Sequence, residues 1–212
     1  MSRMRQRCKT ASGTGKSQRS SFMILRIDHV AIAVRDYEKA FSFFTRLFGV
    51  IPCAYAGDAS MNYLWQMLSL GDLSRLELLT PTGSPSFLDN FLQDRQGGVH
   101  HMTLQTSDIY QTKTMLEDSN IPYFGFNDYG AVWKELFIHP RDAFGVLIQI
   151  AEFNSDDWLS PEVKMSRDTR WLAEKNPNGC TLVLAHPGGG KVSLDLDREE
   201  VKALIADLQD IL

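Results

Sequence analysis

The sequence predicts an α+β protein in which two tandem βαβββ modules surround a metal cavity and are followed by a C-terminal hairpin–helix extension. Three observations lead to this fold class. A chain of 212 residues can bury one substantial core or two small ones. An apolar strand headed by histidine occurs twice, at an offset of 72 residues. At the same offset, a second apolar strand with a polar residue inside it also occurs twice.

The repeat begins at two matching strand-to-helix segments. His29-Val-Ala-Ile-Ala-Val-Arg-Asp36 lines up with His101-Met-Thr-Leu-Gln-Thr-Ser-Asp108. In both, the aspartate follows the strand and can cap a helix. Further on, Leu76-Glu77-Leu78-Leu79 lines up with Ile148-Gln149-Ile150-Ala151. Each half therefore starts with a strand that carries His and ends with a strand that carries Glu or Gln.

The first module is expected to span residues 23–82. After its histidine strand, an apolar stripe at helical spacing predicts a helix from Asp36 to Phe48 that Gly49 ends. The remaining strands of this module are predicted near 50–56, near 62–70 and around Glu77.

The second module is expected to span residues 98–152, after a short connecting helix from Asp89 to Arg95. Its helix is predicted from about Asp108 to Ser119. Its later strands are predicted near 121–125, 132–138 and 145–152.

Residues 153–212 form an extension outside the repeat. Two apolar strands, 180–185 and 192–196, flank a Gly-rich segment and predict a hairpin. Asp197 is expected to cap a final helix with an apolar stripe. A hairpin and one helix are too small to be stable alone, so we expect this extension to pack on the body or on a partner subunit.

Residues 1–22 contain six Lys or Arg residues, no acidic residue and almost no large apolar side chain. Such a composition cannot offset the entropy of ordering, and it predicts either a disordered basic tail or a vector-derived start. A transit peptide is a third interpretation.

Charge and composition exclude several classes of function. The chain carries a net charge of −4, so the residues after the basic head carry −10. An acidic body is a poor binder of nucleic acid, because phosphate contacts need clustered Lys and Arg. No apolar run reaches the roughly 18 residues of a membrane span. Three scattered cysteines indicate a reducing compartment, so a cytoplasmic location is expected.

Four polar residues lie in the repeated apolar strands: His29, Glu77, His101 and Gln149. A single histidine in such a strand is most simply a core residue with a satisfied hydrogen bond. Four polar groups related by one offset are harder to explain that way, since burying each without a partner costs about 2 kcal/mol or more. If all four point inward, a bound divalent metal supplies the shared partner.

These residues, with several short motifs, resemble the vicinal oxygen chelate superfamily, which includes glyoxalases, dioxygenases and bleomycin-resistance proteins. The resemblance covers about residues 24–153 and is greatest to the methylmalonyl-CoA epimerase branch. The motifs, in that family's order, are Ile27-Asp28-His29-Val30, Leu76-Glu77-Leu78-Leu79-Thr80-Pro81, Gly97-Gly98-Val99-His100-His101-Met102, Phe137-Ile138-His139-Pro140 and Gly145-Val146-Leu147-Ile148.

The resemblance implies an open half-barrel, a homodimer and a metal held by His29, Glu77 and His101, with Gln149 as fourth ligand. It implies a lyase or isomerase of the glyoxalase or methylmalonyl-CoA epimerase type. Such an enzyme transfers a proton next to a carbonyl of a small acid or thioester, through an enediolate stabilised by one divalent metal: Co, Mn, Ni, Zn or Fe. Glu77 is the predicted catalytic carboxylate. Gln149 stands where the epimerase pattern has Glu, and an amide can bind a metal but cannot act as a base.

Two further residues are candidates for the substrate pocket. Gln105 shares the inward face of His101 by the two-residue period of a strand. Glu135 lies on a following strand and is either near the metal ligands or exposed.

Two other functions stay open at this point. Two histidines and one carboxylate could hold Fe(II) for extradiol-type dioxygenase chemistry. Alternatively, the cavity could bind or sequester a small molecule without catalysis, as the resistance proteins of the superfamily do.

Overall fold

The structure is a computed structural model that describes residues 23–71, 74–166, 168–186 and 189–212. The basic head, 1–22, and part of the Gly-rich turn of the extension lie outside the described residues. No helix in the described part of the chain is both long and apolar enough to cross a membrane.

Eleven strands and four α-helices follow one another in the described residues. The first module contains β1 (Ile24–Val34), α1 (Tyr37–Ser42), β2 (Ile51–Asp58), β3 (Tyr63–Ser69) and β4 (Arg75–Pro81). The short helix α2 (Asp89–Leu92) connects it to β5 (Gly97–Thr106), α3 (Ile109–Asp118), β6 (Phe124–Asp128), β7 (Lys134–Ile138) and β8 (Ile148–Glu152). The extension contains β9 (Trp171–Lys175), β10 (Gly179–Ala185), β11 (Lys191–Asp197) and α4 (Arg198–Gln209).

The first eight strands form one curled sheet in the order β2-β3-β4-β1-β5-β8-β7-β6. In each module the first strand pairs in parallel with the last strand, β1 with β4 and β5 with β8. The two modules join where β1 and β5 pair antiparallel. This topology confirms the α+β fold of two βαβββ modules in an open half-barrel.

The two module helices begin as the repeat predicts. The Asp36 side chain accepts a hydrogen bond from the Lys39 amide at 2.9 Å. The Asp108 side chain accepts from the Tyr110 and Gln111 amides, each at 2.9 Å. Both aspartates thus satisfy amides that lack a partner in the first turn.

The predicted helix from Asp36 to Phe48 is not α-helical throughout. After α1 the chain continues as a π-helical segment, Phe43–Leu47, and ends at Gly49 with φ +66°. Glycine takes this left-handed conformation without steric cost, so the predicted stop at Gly49 is correct.

Two strands of the second module start about three residues later than predicted. Before β6, Asn120 takes a left-handed conformation with φ 56°, and Pro122 has no amide N–H for a ladder. Before β8, Gly145 has φ +89°, which breaks the extended backbone. Turn residues therefore delay both strands.

Alternation along the strands separates the core from the site. Leu76 and Leu78 of β4 pack toward α1 on the convex face. Leu136 of β7 and Ile150 of β8 pack toward α3 in the same way. The residues between them, including Glu77, face the concave side of the half-barrel.

The extension is larger than the predicted hairpin. Strand β9 adds a third member to the sheet β11-β10-β9, and α4 packs along β10 and β11. Asp197 and Glu200 form a capping box at the start of α4, as expected from the sequence. No residue of α4 is buried, and Ile205 and Leu208 of its apolar stripe are half exposed. Packing of this stripe on a partner subunit stays a prediction.

Candidate metal centre and substrate cavity

The imidazole ring of His29 is oriented by the buried carboxylate of Asp28. Its Nδ1 lies 2.8 Å from Oδ2 of Asp28, and both residues are at most 2% exposed. Asp28 is ion-paired in turn with Arg26, at 2.6 Å, and with Arg75. A carboxylate at one ring nitrogen fixes the orientation of the imidazole and leaves Nε2 to face Glu77 and Thr103.

A β-bulge brings Asp28 and His29 to the same side of β1. In the pairing with β5, Ile27 lies opposite Leu104 and His29 lies opposite Thr103, so Asp28 is the extra residue. In a regular strand the two side chains would point to opposite faces. The residues around Asp28 show only the family resemblance, and no pattern in the sequence predicts this bulge.

Glu77 stands between the two histidines of the repeat. Its Oε2 is 3.6 Å from Nε2 of His29 and 3.6 Å from Nε2 of His101. Potential ligand atoms of the three residues all lie within 4.8 Å of one another. The structure therefore brings these three predicted ligands together.

Gln149 completes the set from β8. Its Oε1 is 3.2 Å from Nε2 of His101 and accepts a hydrogen bond from the Thr103 hydroxyl at 2.5 Å. The same hydroxyl is 2.8 Å from Nε2 of His29. Thr103 lies two residues after His101 on the inward face, so strand alternation could have identified it.

Two imidazole nitrogens, one carboxylate oxygen and one amide oxygen converge in this arrangement. This donor set suits a divalent transition metal, and each donor is on a paired strand of the sheet. The residues present thus fit a divalent metal of the kind that the sequence resemblance implies. The identity of the metal is a separate question.

The two histidines have opposite pKa shifts. Burial disfavours the charged form of His29, but the carboxylates of Glu77 and Asp28 outweigh it and raise the pKa of His29 to about 9. Burial lowers the pKa of His101 to about 4, although Glu77 opposes that shift. The imidazole of His101 is therefore neutral near pH 7, as a metal ligand must be, whereas the imidazole of His29 is protonated and would release its proton when a metal binds.

The two carboxylates near His29 stay ionised. Burial raises the pKa of Glu77, but the neighbouring His29 and His101 lower it below the ordinary value. Burial likewise raises the pKa of Asp28, and hydrogen bonding to His29 with the charges of Arg75 and Arg26 lowers it to about 2. Both carboxylates thus keep their charge beside His29, and Glu77 presents its charge to the cavity that it lines.

Glu135 lies beside Gln149, one of the predicted metal ligands, and this is one of the two positions that the sequence allowed. Its Oε2 accepts from the Gln149 amide at 2.6 Å and from the Trp133 indole at 2.9 Å. Asn127 donates to its other oxygen at 3.1 Å. Because the Gln149 NH₂ group is bound to Glu135, its carbonyl oxygen is directed to Thr103 and His101.

A cavity of about 520 Å³ lies next to the predicted metal site. Its lining includes Glu77, Gln149 and Glu135, together with aromatic side chains from both modules and from the extension. The lining residue from the extension is Trp158, which the sequence did not single out. A tryptophan outside the repeat carries no periodic signal of its position.

Gln105 is buried on the inward face of β5, but it is not among the residues that line this cavity. Its amide donates to the Phe153 carbonyl at 3.2 Å and to the Ser155 hydroxyl at 2.9 Å, and its oxygen accepts from Arg26. The start of the extension therefore covers it. Direct contact of Gln105 with substrate stays untested.

Comparison with known families gives a match over residues 28–137, more than half of the chain, to the glyoxalase/bleomycin resistance protein/dioxygenase superfamily. The chain belongs to this superfamily. Mouse mitochondrial methylmalonyl-CoA epimerase is 33% identical in an alignment 135 residues long that covers 60% of this chain and 72% of the mouse protein. The ethylmalonyl-CoA/methylmalonyl-CoA epimerase of Cereibacter sphaeroides is 31% identical over 61% of this chain and 99% of its own length.

Solved structures agree on the fold of this superfamily member. The methylmalonyl-CoA epimerase of Mycobacterium tuberculosis superposes with a TM-score of 0.58 and 23% identity, over 69% of this chain and 95% of that one. The resemblance stated from the sequence is confirmed, and so is the prediction of an enzyme. Because three fifths of this chain match almost the whole Cereibacter enzyme, this superfamily member has segments that the bacterial epimerase lacks.

Proposed function

We propose that this protein is a divalent-metal-dependent epimerase or isomerase that moves a proton next to a carbonyl group of a small acid or thioester. The observation that carries the proposal is the convergence of His29, Glu77 and His101 next to a substrate-sized cavity that Glu77 lines. The epimerases among the relatives support an isomerase more than a dioxygenase or a sequestering protein.

His29, Glu77 and His101 would hold the metal, with the Gln149 carbonyl oxygen as a fourth ligand. A divalent metal of the set Co, Mn, Ni, Zn or Fe supplies a Lewis acid, which acidifies the carbon next to a carbonyl. Asp28 keeps Nε2 of His29 directed at the centre, and Glu135 does the same for the Gln149 oxygen.

Glu77 is the group that carries the proton in this proposal. It lines the cavity and is ionised, so it can take a proton from the substrate carbon and, in an isomerisation, return it to the neighbouring carbon; inversion at the same carbon would need a proton delivered to the opposite face. Gln149 cannot share this work because an amide is not a base at neutral pH. Glu135 already accepts three hydrogen bonds, which suit a positioning role.

Metal content and proton exchange test the proposal together. The purified protein, loaded with each candidate metal and desalted, is expected to retain about one ion per chain, and His101→Ala is expected to lose it. His139→Ala is the matched control, because His139 is exposed at the end of β7. Exchange of the substrate α-proton in D₂O, followed by NMR with methylmalonyl-CoA and with a hemithioacetal, then identifies the branch.

Equal and negligible metal in the wild-type protein and in His101→Ala would contradict the metal centre. Stoichiometric metal without exchange on either substrate type would instead favour a binding protein. Oxygen uptake with catechols by the iron-loaded protein would favour a dioxygenase. Homodimerisation and a cytoplasmic location are also proposed, on the sequence resemblance and composition alone.

A further inference from the structure

The extension closes one end of the concave half-barrel. The Phe153 ring stacks on Trp133 at a centroid distance of 4.5 Å, and the Arg75 guanidinium lies 5.6 Å from the same ring. Trp158 contacts Trp65 of the first module at 5.5 Å and Trp133 of the second module at 5.4 Å. One indole from outside the repeat thus bridges the two halves at the cavity wall.

Backbone and side-chain hydrogen bonds hold this segment on the body. Gln105 binds the Phe153 carbonyl and the Ser155 hydroxyl, and the Ser160 amide lies 3.4 Å from Sγ of Cys53. Asp156 accepts from the Gly190 amide at 2.8 Å, which ties the segment to the turn before β11. The position of Trp158 is therefore set by contacts on both sides of it along the chain.

The lining of the cavity has a consistent chemical character. Five aromatic side chains contribute to it: Tyr63, Trp65, Tyr129, Trp133 and Trp158. Every charged side chain among the described lining residues is acidic, namely Asp58, Glu77 and Glu135, and no Lys or Arg is among them. A phosphate group inside this cavity would meet like charge and no cationic partner, whereas a planar apolar group would meet indole and phenol rings.

We infer that the cavity selects a substrate with a compact aromatic group beside its two chelating oxygens, and that Trp158 is a specificity-determining residue that packs against this group. The inference rests on the proposed function, since the metal centre binds the oxygens. Any phosphate-bearing part of a substrate would lie outside the cavity. Trp158 belongs to the extension, so this specificity-determining part of the cavity wall is not supplied by the two modules.

Two hydroxamates test the inference without relying on turnover. Benzohydroxamate and acetohydroxamate present the same pair of vicinal oxygens to a metal and differ by phenyl against methyl. They are titrated by calorimetry into the full-length protein loaded with Zn²⁺. Benzohydroxamate is expected to bind at least about tenfold more tightly to the wild-type protein, because its ring is buried against aromatic side chains.

Variants at position 158 test whether Trp158 causes the preference for benzohydroxamate. Trp158→Ala is expected to reduce the affinity ratio to about twofold, while the affinity for acetohydroxamate stays within about twofold of wild type. Trp158→Phe is expected to keep most of the preference. Trp171→Ala removes a tryptophan of β9 that is 64% exposed, and is expected to leave both affinities unchanged. Thermal unfolding of each variant confirms that it is folded.

The outcomes separate the two proposals. Equal affinities of the wild-type protein for the two probes, or an unchanged ratio in folded Trp158→Ala, overturn the aromatic preference and leave the metal centre standing. Binding of neither probe to the Zn²⁺-treated wild-type protein overturns the metal centre, and the inference falls with it.

Discussion

At the scale of single residues, the site consists of donors whose orientation is set by a second layer of side chains. Asp28 binds Nδ1 of His29, and Glu135 binds the amide nitrogen of Gln149. An imidazole or an amide group can be turned so that either of two atoms faces the centre, and each contact fixes one of these two orientations. The site therefore depends on residues that would never touch the metal.

Glu77 can be tested apart from metal binding. Glu77→Gln keeps an oxygen donor of the same size but removes the base, so we expect at least about a hundredfold loss of α-proton exchange. Metal analysis of the same sample is expected to show that some metal is retained, in contrast to His101→Ala. Full exchange activity in a metal-loaded Glu77→Gln sample would show that another group carries the proton.

Glu135 has a different expected signature. Glu135→Leu frees the Gln149 amide to rotate, so metal affinity is expected to fall about tenfold to a hundredfold. Glu135→Gln keeps an acceptor for the Gln149 NH₂ group and is expected to stay near the wild-type affinity. Competition with a chromogenic chelator measures both variants, and equal losses in the two would contradict a role through Gln149.

At the scale of secondary-structure elements, the repeat extends to the helix caps. Asp36 and Asp108 occupy equivalent positions and bind amides of the first turns of α1 and α3. Their strands carry His29 and His101, so the same short segment places a ligand and starts a helix. This coupling explains why the segment is recognisable twice in the sequence.

The two helix caps are expected to contribute similar amounts to the free energy of unfolding. Asp36→Ala and Asp108→Ala should each lower the free energy of unfolding by about 1 kcal/mol, because each leaves amides of a first turn unpaired. Asp118→Ala is the control, since Asp118 is exposed in the last turn of α3, where a negative charge opposes the helix dipole. Urea denaturation measures all three, and a loss in Asp118→Ala as large as the others would contradict the cap interpretation.

Local sequence patterns predicted the helix caps, the helix stop and the strand alternation better than they predicted bulges and strand starts. The caps, the stop at Gly49 and the alternation around Glu77 involve residues within a few positions of one another, so the sequence alone shows them. The bulge at Asp28 depends on pairing with β5, more than 70 residues away. The start of β6 depends on the backbone conformation of Asn120, which the strand pattern does not report.

At the scale of the whole molecule, burial of the site links metal binding to stability. His29, His101 and Gln149 are buried, and Glu77 keeps its charge among them. The folded chain therefore contains a concentrated group of polar atoms that a cation can satisfy, whereas the unfolded chain separates them.

Metal removal is therefore expected to destabilise the protein. At a free metal concentration of 100 times the Kd, bound metal stabilises the fold by about 2.7 kcal/mol. For a chain of this size that corresponds to a rise in Tm of about 5 to 10 °C. Scanning calorimetry with metal and with excess chelator measures the shift, and His101→Ala is expected to show little of it. A wild-type Tm that is insensitive to chelator would contradict tight binding.

The sequence by itself determined the two-module fold and the helix caps and brought forward His29, Glu77, His101 and Gln149 as predicted donors, because these follow from local periodicity and one repeat offset. Only the tertiary structure decided how those donors are oriented and which wall the extension contributes. Asp28 faces His29 because of a bulge formed against the distant strand β5, and Glu135 and Trp158 contact residues of other elements, so these arrangements leave no periodic pattern. The repeat therefore predicts the proposed metal ligands, whereas packing between distant residues determines the shape of the cavity.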